Sequence, residues 1–91
     1  MAEQLKASGL ATAVPALTYA VVIEWGPHNY SAYVPDLPGC VSTGKTVEET
    51  TRNIREALAG HLAVMREYGD PIPEPRTRVA MVSVSADADA A

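Results

Sequence analysis

Hydrophobic residues alternate with more polar ones in two short stretches of the chain. In the first stretch, one set is Tyr19, Val21, Ile23 and Trp25, and the other is Ala20, Val22 and Glu24. A period of two that is rich in β-branched and aromatic residues is typical of a β-strand. Residues 29–34 alternate in the same way after a Gly-Pro-His-Asn turn signal. The two stretches therefore predict a β-hairpin.

A rigid connection follows the hairpin. Residues 35–39 read Pro-Asp-Leu-Pro-Gly. Each proline fixes its φ at about −65° and pushes the preceding residue out of the helical region, so we expect the chain to turn sharply here. Residues 41–44 then predict a third strand, which completes an antiparallel meander.

Apolar positions at three- and four-residue steps predict one long helix from Val47 to Tyr68. Thr46 and Glu49 have the spacing of a capping box at its start. Gly69 is placed to end the helix, and Asp70-Pro71 prevents it from continuing. The stripe that would cover the sheet consists of Val47, Thr50 or Thr51, Ile54, Ala57, Leu58, His61, Leu62, Met65 and Tyr68.

Residues 79–84 are largely apolar at both alternating sets of positions and predict a fourth strand. The predicted class is therefore α+β with the order βββαβ and the helix on one face of the sheet. A right-handed crossover places the fourth strand beside the first and parallel to it. One helix covers only one face, and exposed apolar faces are typical of interfaces. We therefore expect a homo-oligomer, a dimer or tetramer, in which another chain covers the second face or an edge strand.

The length of 91 residues predicts one domain, over residues 18–84, with a flexible arm at 1–17 and a disordered acidic tail at 85–91. Neither terminal segment has an apolar run that would span a membrane. The net charge of −4 argues against a nucleic-acid groove and favours a basic partner. A single cysteine, Cys40, excludes an internal disulfide and suits a reducing cytoplasm.

The spacing of residues in the connection and the helix resembles the HicB-like antitoxin family. The resemblance covers about residues 19–84 and implies a partial RNase H-like fold with the same βββαβ order. The residues that carry it are Tyr33 to Cys40, Ser42, Gly44, Thr46, Glu48, Glu49, Asn53, Ile54, Glu56, Ala57, Leu58, Gly69 and Ile72 to Pro75.

This resemblance implies an antitoxin of a type II toxin-antitoxin system. Such an antitoxin binds a small basic HicA-like toxin and masks its catalytic histidine, which stops the toxin from cleaving mRNA. Family members usually append a helix-turn-helix or ribbon-helix-helix domain that binds promoter DNA. Only seven small or acidic residues follow Val84. We therefore expect no direct nucleic-acid binding by this chain alone.

Five residues are candidate partner contacts: Trp25, Tyr30, Asp36, Glu48 and Glu49. Trp25 and Tyr30 lie near the tip of the predicted hairpin, where aromatic side chains can anchor an interface, and packing on the sheet is an equal alternative. Asp36 can pair with a partner or bind a metal, but an Asp in a turn more often accepts N–H bonds of that turn. The helix dipole alone favours acids such as Glu48 and Glu49 in a first turn.

No catalytic residue, cofactor site or metal site is predicted, and we expect a binding protein and not an enzyme. An RNase H-type site needs several converging carboxylates around two metal ions, and the predicted strands and corner offer only Glu24 and Asp36. Cys40 is expected to be a small buried hydrophobe, His61 to pack on the stripe and His28 to be exposed. Two alternatives stay open: a stand-alone oligomeric scaffold or ligand-binding protein, and a residual RNase H-like nuclease.

Overall fold

A computed structural model of the chain describes residues 16–87, in which one helix packs on a three-stranded antiparallel sheet. The elements are β1 (Val22–Trp25), β2 (Tyr30–Tyr33), β3 (Val41–Gly44) and α1 (Val47–Glu67). The strand order β1-β2-β3 confirms the predicted meander, and α1 confirms the predicted helix to within one residue. Most of the predicted N-terminal arm and the end of the predicted tail lie outside the described residues.

The strand register gives the sheet two distinct ends. At the end that we call the hairpin end, Trp25 pairs with Tyr30, and Tyr30 pairs with Gly44. The opposite end, the corner end, is defined by the pairs Val22 with Tyr33 and Tyr33 with Val41. The helix begins immediately after β3, and it therefore begins at the hairpin end.

The core lies between the sheet and the helix, and the connection between β2 and β3 is part of it. Leu37 is 1% exposed, and its N–H donates to the Val34 carbonyl at 3.0 Å. Cys40 donates to the Leu37 carbonyl at the same distance, so the corner closes on a buried apolar side chain. Burial raises the pKa of the Cys40 thiol, in accord with its predicted role as a small hydrophobe. The buried apolar residues of the described chain are Tyr19, Ala32, Val34, Leu37, Cys40, Ile54 and Leu62.

Both ends of α1 have the hydrogen bonds that the sequence predicts. Thr46 Oγ1 accepts from the Glu49 N–H at 3.0 Å, and Glu49 Oε1 accepts from the Lys45 N–H at 2.8 Å. Gly69 has a φ of 73°, and its N–H donates to the Arg66 carbonyl at 3.1 Å, while Asp70 N–H donates to Met65. These two bonds form a Schellman motif, which needs a left-handed residue at the position of Gly69.

A close contact joins the end of β3 to the first turn of the helix. Thr50 is fully buried, and its hydroxyl donates to the Thr46 carbonyl at 2.7 Å. A Cβ at Gly44 would lie 2.7 Å from the Thr50 backbone nitrogen, so only glycine fits there. Asn53 Nδ2 donates to the Thr43 carbonyl at 2.8 Å. These contacts hold the start of α1 against the hairpin end of the sheet.

The predicted start of the first strand is wrong. β1 begins at Val22 and not near Tyr19, because its partner strand ends at Tyr33 and the Val34 N–H is taken by the corner. The predicted fourth strand is not confirmed: residues 79–84 are exposed and form no strand, and in the described part of the chain no strand pairs with them. A strand needs a neighbour to accept its ladder of hydrogen bonds, and here the described chain supplies none.

The sheet face opposite the helix is apolar in only one of its two rows. Val22, Tyr33 and Val41 are cross-strand neighbours at the corner end, and Tyr33 and Val41 are exposed. The neighbouring row on the same face is polar and consists of Glu24, Ser31 and Thr43. The prediction of an apolar second face is therefore correct only at the corner end, because Glu24 interrupts it.

Candidate functional site

Two of the five candidate residues form a cross-strand pair at the hairpin end. Trp25 closes β1 and Tyr30 opens β2, directly opposite each other, and the turn between them is closed by the Gly26 N–H donating to Asn29. The side chain of Trp25 is 81% exposed, whereas Tyr30 is half-buried. A Trp that is this exposed gains little from packing in the chain, and it is available to bury apolar surface on a partner.

The two candidate acids of the helix lie at the same end of the sheet. Glu48 is exposed and makes no hydrogen bond or ion pair with the described residues. Glu49 is half-buried, and its carboxylate accepts the Lys45 N–H in the cap of the helix. The Glu49 carboxylate is used in the helix cap. Glu48 is therefore the acid at the hairpin end that can pair with a partner.

Asp36 lies at the other end of the sheet, and its carboxylate is fully engaged within the chain. Its Oδ2 accepts the N–H groups of Arg76 at 2.9 Å and Thr77 at 3.0 Å, and its Oδ1 accepts the Thr77 hydroxyl at 2.9 Å. These bonds, led by the Thr77 and Arg76 N–H groups, lower the pKa of Asp36 below its usual value. The expected turn bonds are therefore replaced by bonds to a segment 40 residues away.

The segment after the helix is held at the corner end by two further contacts. The hydroxyl of Tyr19 donates to the Pro73 carbonyl, and Ile72 packs against the buried core. The pKa of Tyr19 is raised, first because the side chain is buried and second because the Asp36 charge is nearby. Residues 72–77 are thus fixed to the body of the domain, whereas residues 78–87 are exposed.

The sequence pattern gave no indication that Arg76 and Thr77 bind Asp36. Both follow a Pro-Glu-Pro run that predicted an extended return, and neither has periodic neighbours. The prolines indicate only that the return is not helical, so that its N–H groups have no acceptor four residues back. Such free donors need an acceptor, but a single sequence does not say which one.

The structure separates the two acids that the nuclease alternative would need. Glu24 pairs with Ser31 one position from the hairpin end, whereas Asp36 lies in the connection at the corner end. Among residues 16–87, no three His, Cys, Asp or Glu side chains come close enough to hold a metal ion.

His61 is half-buried and lines an open groove of about 460 Å³ with Glu56 and Asp70. The described part of the chain also has no helix that is long and apolar enough to cross a membrane.

Comparison with known families identifies this fold as that of an antitoxin class. Residues 19–89 match the family described as "HicB_like antitoxin of bacterial toxin-antitoxin system". The match spans most of the chain and contains all five candidate residues. The chain belongs to the HicB-like antitoxin family.

Similar sequences occur in a phage, a bacterium and an archaeon. An uncharacterized 14.9 kDa protein of Haemophilus phage HP1 is 36% identical over 58 residues, which are 64% of this chain and 44% of the phage protein. A UPF0150 protein of Helicobacter pylori is 54% identical over 41 residues, 45% of this chain and 57% of that protein. A UPF0150 protein of Thermoplasma acidophilum is 34% identical over 58 residues, 63% of this chain and 84% of that protein. The matched stretch thus spans about half the length of the first two relatives.

Two solved structures have a similar fold. One is a "HicA3 and HicB3 toxin-antitoxin complex", with a TM-score of 0.58 and 30% identity over 66% of this chain and 70% of that chain. The other is the N-terminal domain of the Burkholderia pseudomallei antitoxin HicB, with a TM-score of 0.57 and 30% identity over 65% of this chain and 70% of that chain. The three strands and the helix of this chain are therefore the fold of a HicB antitoxin domain.

Proposed function

We propose that this protein is the antitoxin of a type II toxin-antitoxin pair and that it neutralises a small basic HicA-type mRNA-cleaving toxin by covering its active site. Family membership and the similarity to a chain of a toxin-antitoxin complex support the antitoxin role. The protein acts as a binding partner and not as an enzyme in this proposal. The net charge of −4 favours association with a basic surface.

The hairpin end is the surface that we assign to the toxin. A single observation carries this assignment: the most exposed aromatic side chain of the sheet, Trp25, lies at the same end as the unpaired acid Glu48. An aromatic anchor buries apolar area at the centre of an interface, and an acid beside it pairs with basic residues at the rim. The corner end is less suitable, because Asp36 is already bonded to Arg76 and Thr77.

Co-expression with the small reading frame next to the gene tests the antitoxin role. We expect the neighbour to arrest growth by itself, and we expect this chain to restore growth and to co-purify with it. A neighbour that is neither toxic nor bound would contradict the proposal. In that case the stand-alone oligomeric scaffold becomes the better explanation, and the exposed apolar segment at residues 79–84 supports it.

Matched variants test the assigned surface separately from the role. Trp25→Ala and Glu48→Lys change the hairpin end. Tyr68→Ala and Glu67→Lys are the matched controls: they also remove an exposed aromatic side chain and reverse an exposed acid, but at the C-terminal end of α1. We expect Trp25→Ala to weaken toxin binding at least tenfold, since aromatic anchors commonly contribute about 2 kcal/mol or more. The two control variants should bind within about twofold of the original protein. Equal effects at both ends would show that another surface covers the toxin.

A further inference from the structure

Residues 79–84, which we call the C-terminal segment, combine strong apolar character with full exposure. Val79, Met81, Val82 and Val84 are 60%, 92%, 78% and 84% exposed. One alternating set of the segment, at positions 80, 82 and 84, is entirely apolar, and no residue of the segment is charged. A stretch of this kind is costly to leave in water and is well suited to become a strand in a sheet.

The described part of the chain has an open groove between the residues that lead into β1 and one flank of α1. It has a volume of about 370 Å³. Leu17, Tyr19 and Val21 line one wall together with Thr18, and the other wall combines Ile54 and Leu58 with Thr51 and the charged Arg55. The helix packs mainly on β3 and β2, so β1 is left as an edge with little cover. Among the described residues, no strand pairs with the outer side of β1.

The C-terminal segment does not fill this groove in its own chain. Its base is fixed at the corner end, because Asp36 holds the N–H groups of Arg76 and Thr77 and Tyr19 holds Pro73. Beyond this attachment every residue from 78 to 87 is exposed. Within residues 16–87, one chain therefore presents both an exposed apolar segment without a pairing partner and an open, largely apolar groove.

We propose that the C-terminal segment of one chain adds as a strand to the edge of β1 in a second copy of this chain. Ala80, Val82 and Val84 would then lie in the groove between the residues that lead into β1 and the helix α1. A two-fold arrangement lets each copy give one segment and receive one, so a single contact type satisfies both copies. The segment carries no charge, so none of its own side chains loses the hydration of an ion on insertion. In this dimer, the C-terminal segment of one chain supplies the fourth strand of the βββαβ order to the other chain.

Sedimentation of the full-length protein alone, without toxin, tests this exchange. We expect a dimer that dissociates on dilution and a Val82→Lys variant whose dissociation constant is at least tenfold higher, since the variant places a positive charge in a groove that Arg55 also lines. Val82 is exposed in the single chain, so the substitution leaves the core intact, and circular dichroism should be unchanged. Ser83→Lys is the matched control on the opposite face of the same segment, and it should change the dissociation constant by less than about threefold.

Cross-linking distinguishes exchange between chains from insertion in the same chain. One preparation carries Val82→Cys and the other carries Thr18→Cys at the rim of the groove, and Cys40 is buried and unreactive in both. A bismaleimide should link the two chains when the preparations are mixed. A monomer at about 100 µM, a dimer that is insensitive to Val82→Lys, or a link that forms only when both cysteines are in one chain would each overturn the proposal.

Discussion

Asp36 and Thr77 are 41 positions apart in the chain, and the carboxylate of Asp36 accepts both the N–H and the hydroxyl of Thr77. The first residue lies in the connection between β2 and β3, and the second lies in the return after the helix. Because the same carboxylate also accepts the Arg76 N–H, one side chain fixes two backbone donors that have no strand to bind. This relationship sets where the C-terminal segment leaves the domain.

Removing the acceptor should therefore release the return segment. We expect Asp36→Ala to lower the urea midpoint of unfolding and to accelerate hydrogen exchange at the Arg76 and Thr77 amides, which lose their acceptor. Glu74→Gln is the control in the same segment, since the ion pair of Glu74 with Arg76 spans 3.8 Å between exposed groups. Unchanged exchange at Arg76 and Thr77 in Asp36→Ala would contradict the role that we give to this carboxylate.

The same carboxylate makes stability depend on pH in a defined direction. The pKa of Asp36 is below the ordinary value of 3.8 in the folded chain, so the unfolded chain binds the proton more readily. The stabilisation is therefore complete above the ordinary pKa and is lost as pH falls through the lower folded-state pKa. We expect the difference in urea midpoint between the original protein and Asp36→Asn to shrink as pH is lowered from neutrality to below that pKa. A difference that stays constant over this range would show that the charge of Asp36 contributes nothing.

The cap of α1 gives a prediction of known size. Thr46→Ala removes the acceptor for the Glu49 N–H and should lower the free energy of unfolding by about 1 kcal/mol. Thr51→Ala is a suitable control, because the Thr51 hydroxyl donates to the Val47 carbonyl, which the helix already uses. Urea denaturation followed by circular dichroism measures both. A larger loss from Thr51→Ala than from Thr46→Ala would be inconsistent with the cap.

Two glycines should respond to alanine in opposite ways. At Gly44 the new Cβ would lie 2.7 Å and 2.9 Å from the Thr50 backbone nitrogen and Cα, so β3 and the first turn of α1 must move apart. At Gly60 the new Cβ meets nothing within 4 Å and lies in the interior of a helix. We expect Gly60→Ala to raise the free energy of unfolding by about 1 kcal/mol and Gly44→Ala to lower it. Thermal unfolding of the two variants checks both signs, and a stabilising Gly44→Ala would contradict the close contact.

Local patterns were sufficient for the helix and the meander. Thr46, Glu49 and Gly69 mark the ends of α1 through bonds that span at most five residues, so sequence reasoning placed them correctly. The Pro-Asp-Leu-Pro-Gly corner also turns as predicted. The length of β1 was wrong because strand length depends on the partner strand, and Val34 binds the corner in place of residues before Val22.

Only part of the candidate surface can be predicted from the sequence. Trp25 and Tyr30 were recognisable as neighbours from the hairpin, and Glu48 and Glu49 from the start of the helix. These two pairs lie at the same end of the molecule because of the register of β3, in which Gly44 pairs with Tyr30. The separation of Asp36 from the other four candidates follows from the same register.

The sequence by itself determined the helix, the three-stranded meander and the sharp corner, because caps, turns and periodicities act over a few residues. It also determined the antitoxin family and the acidic character of this protein. The tertiary structure decided which acids remain free, how Asp36 fixes the return segment, and that residues 79–84 stay exposed beside an open groove. These features depend on contacts between groups tens of residues apart, where the available partners are set by the packing of the whole domain. A strand pattern is a local property, whereas the neighbour that a strand pairs with is not.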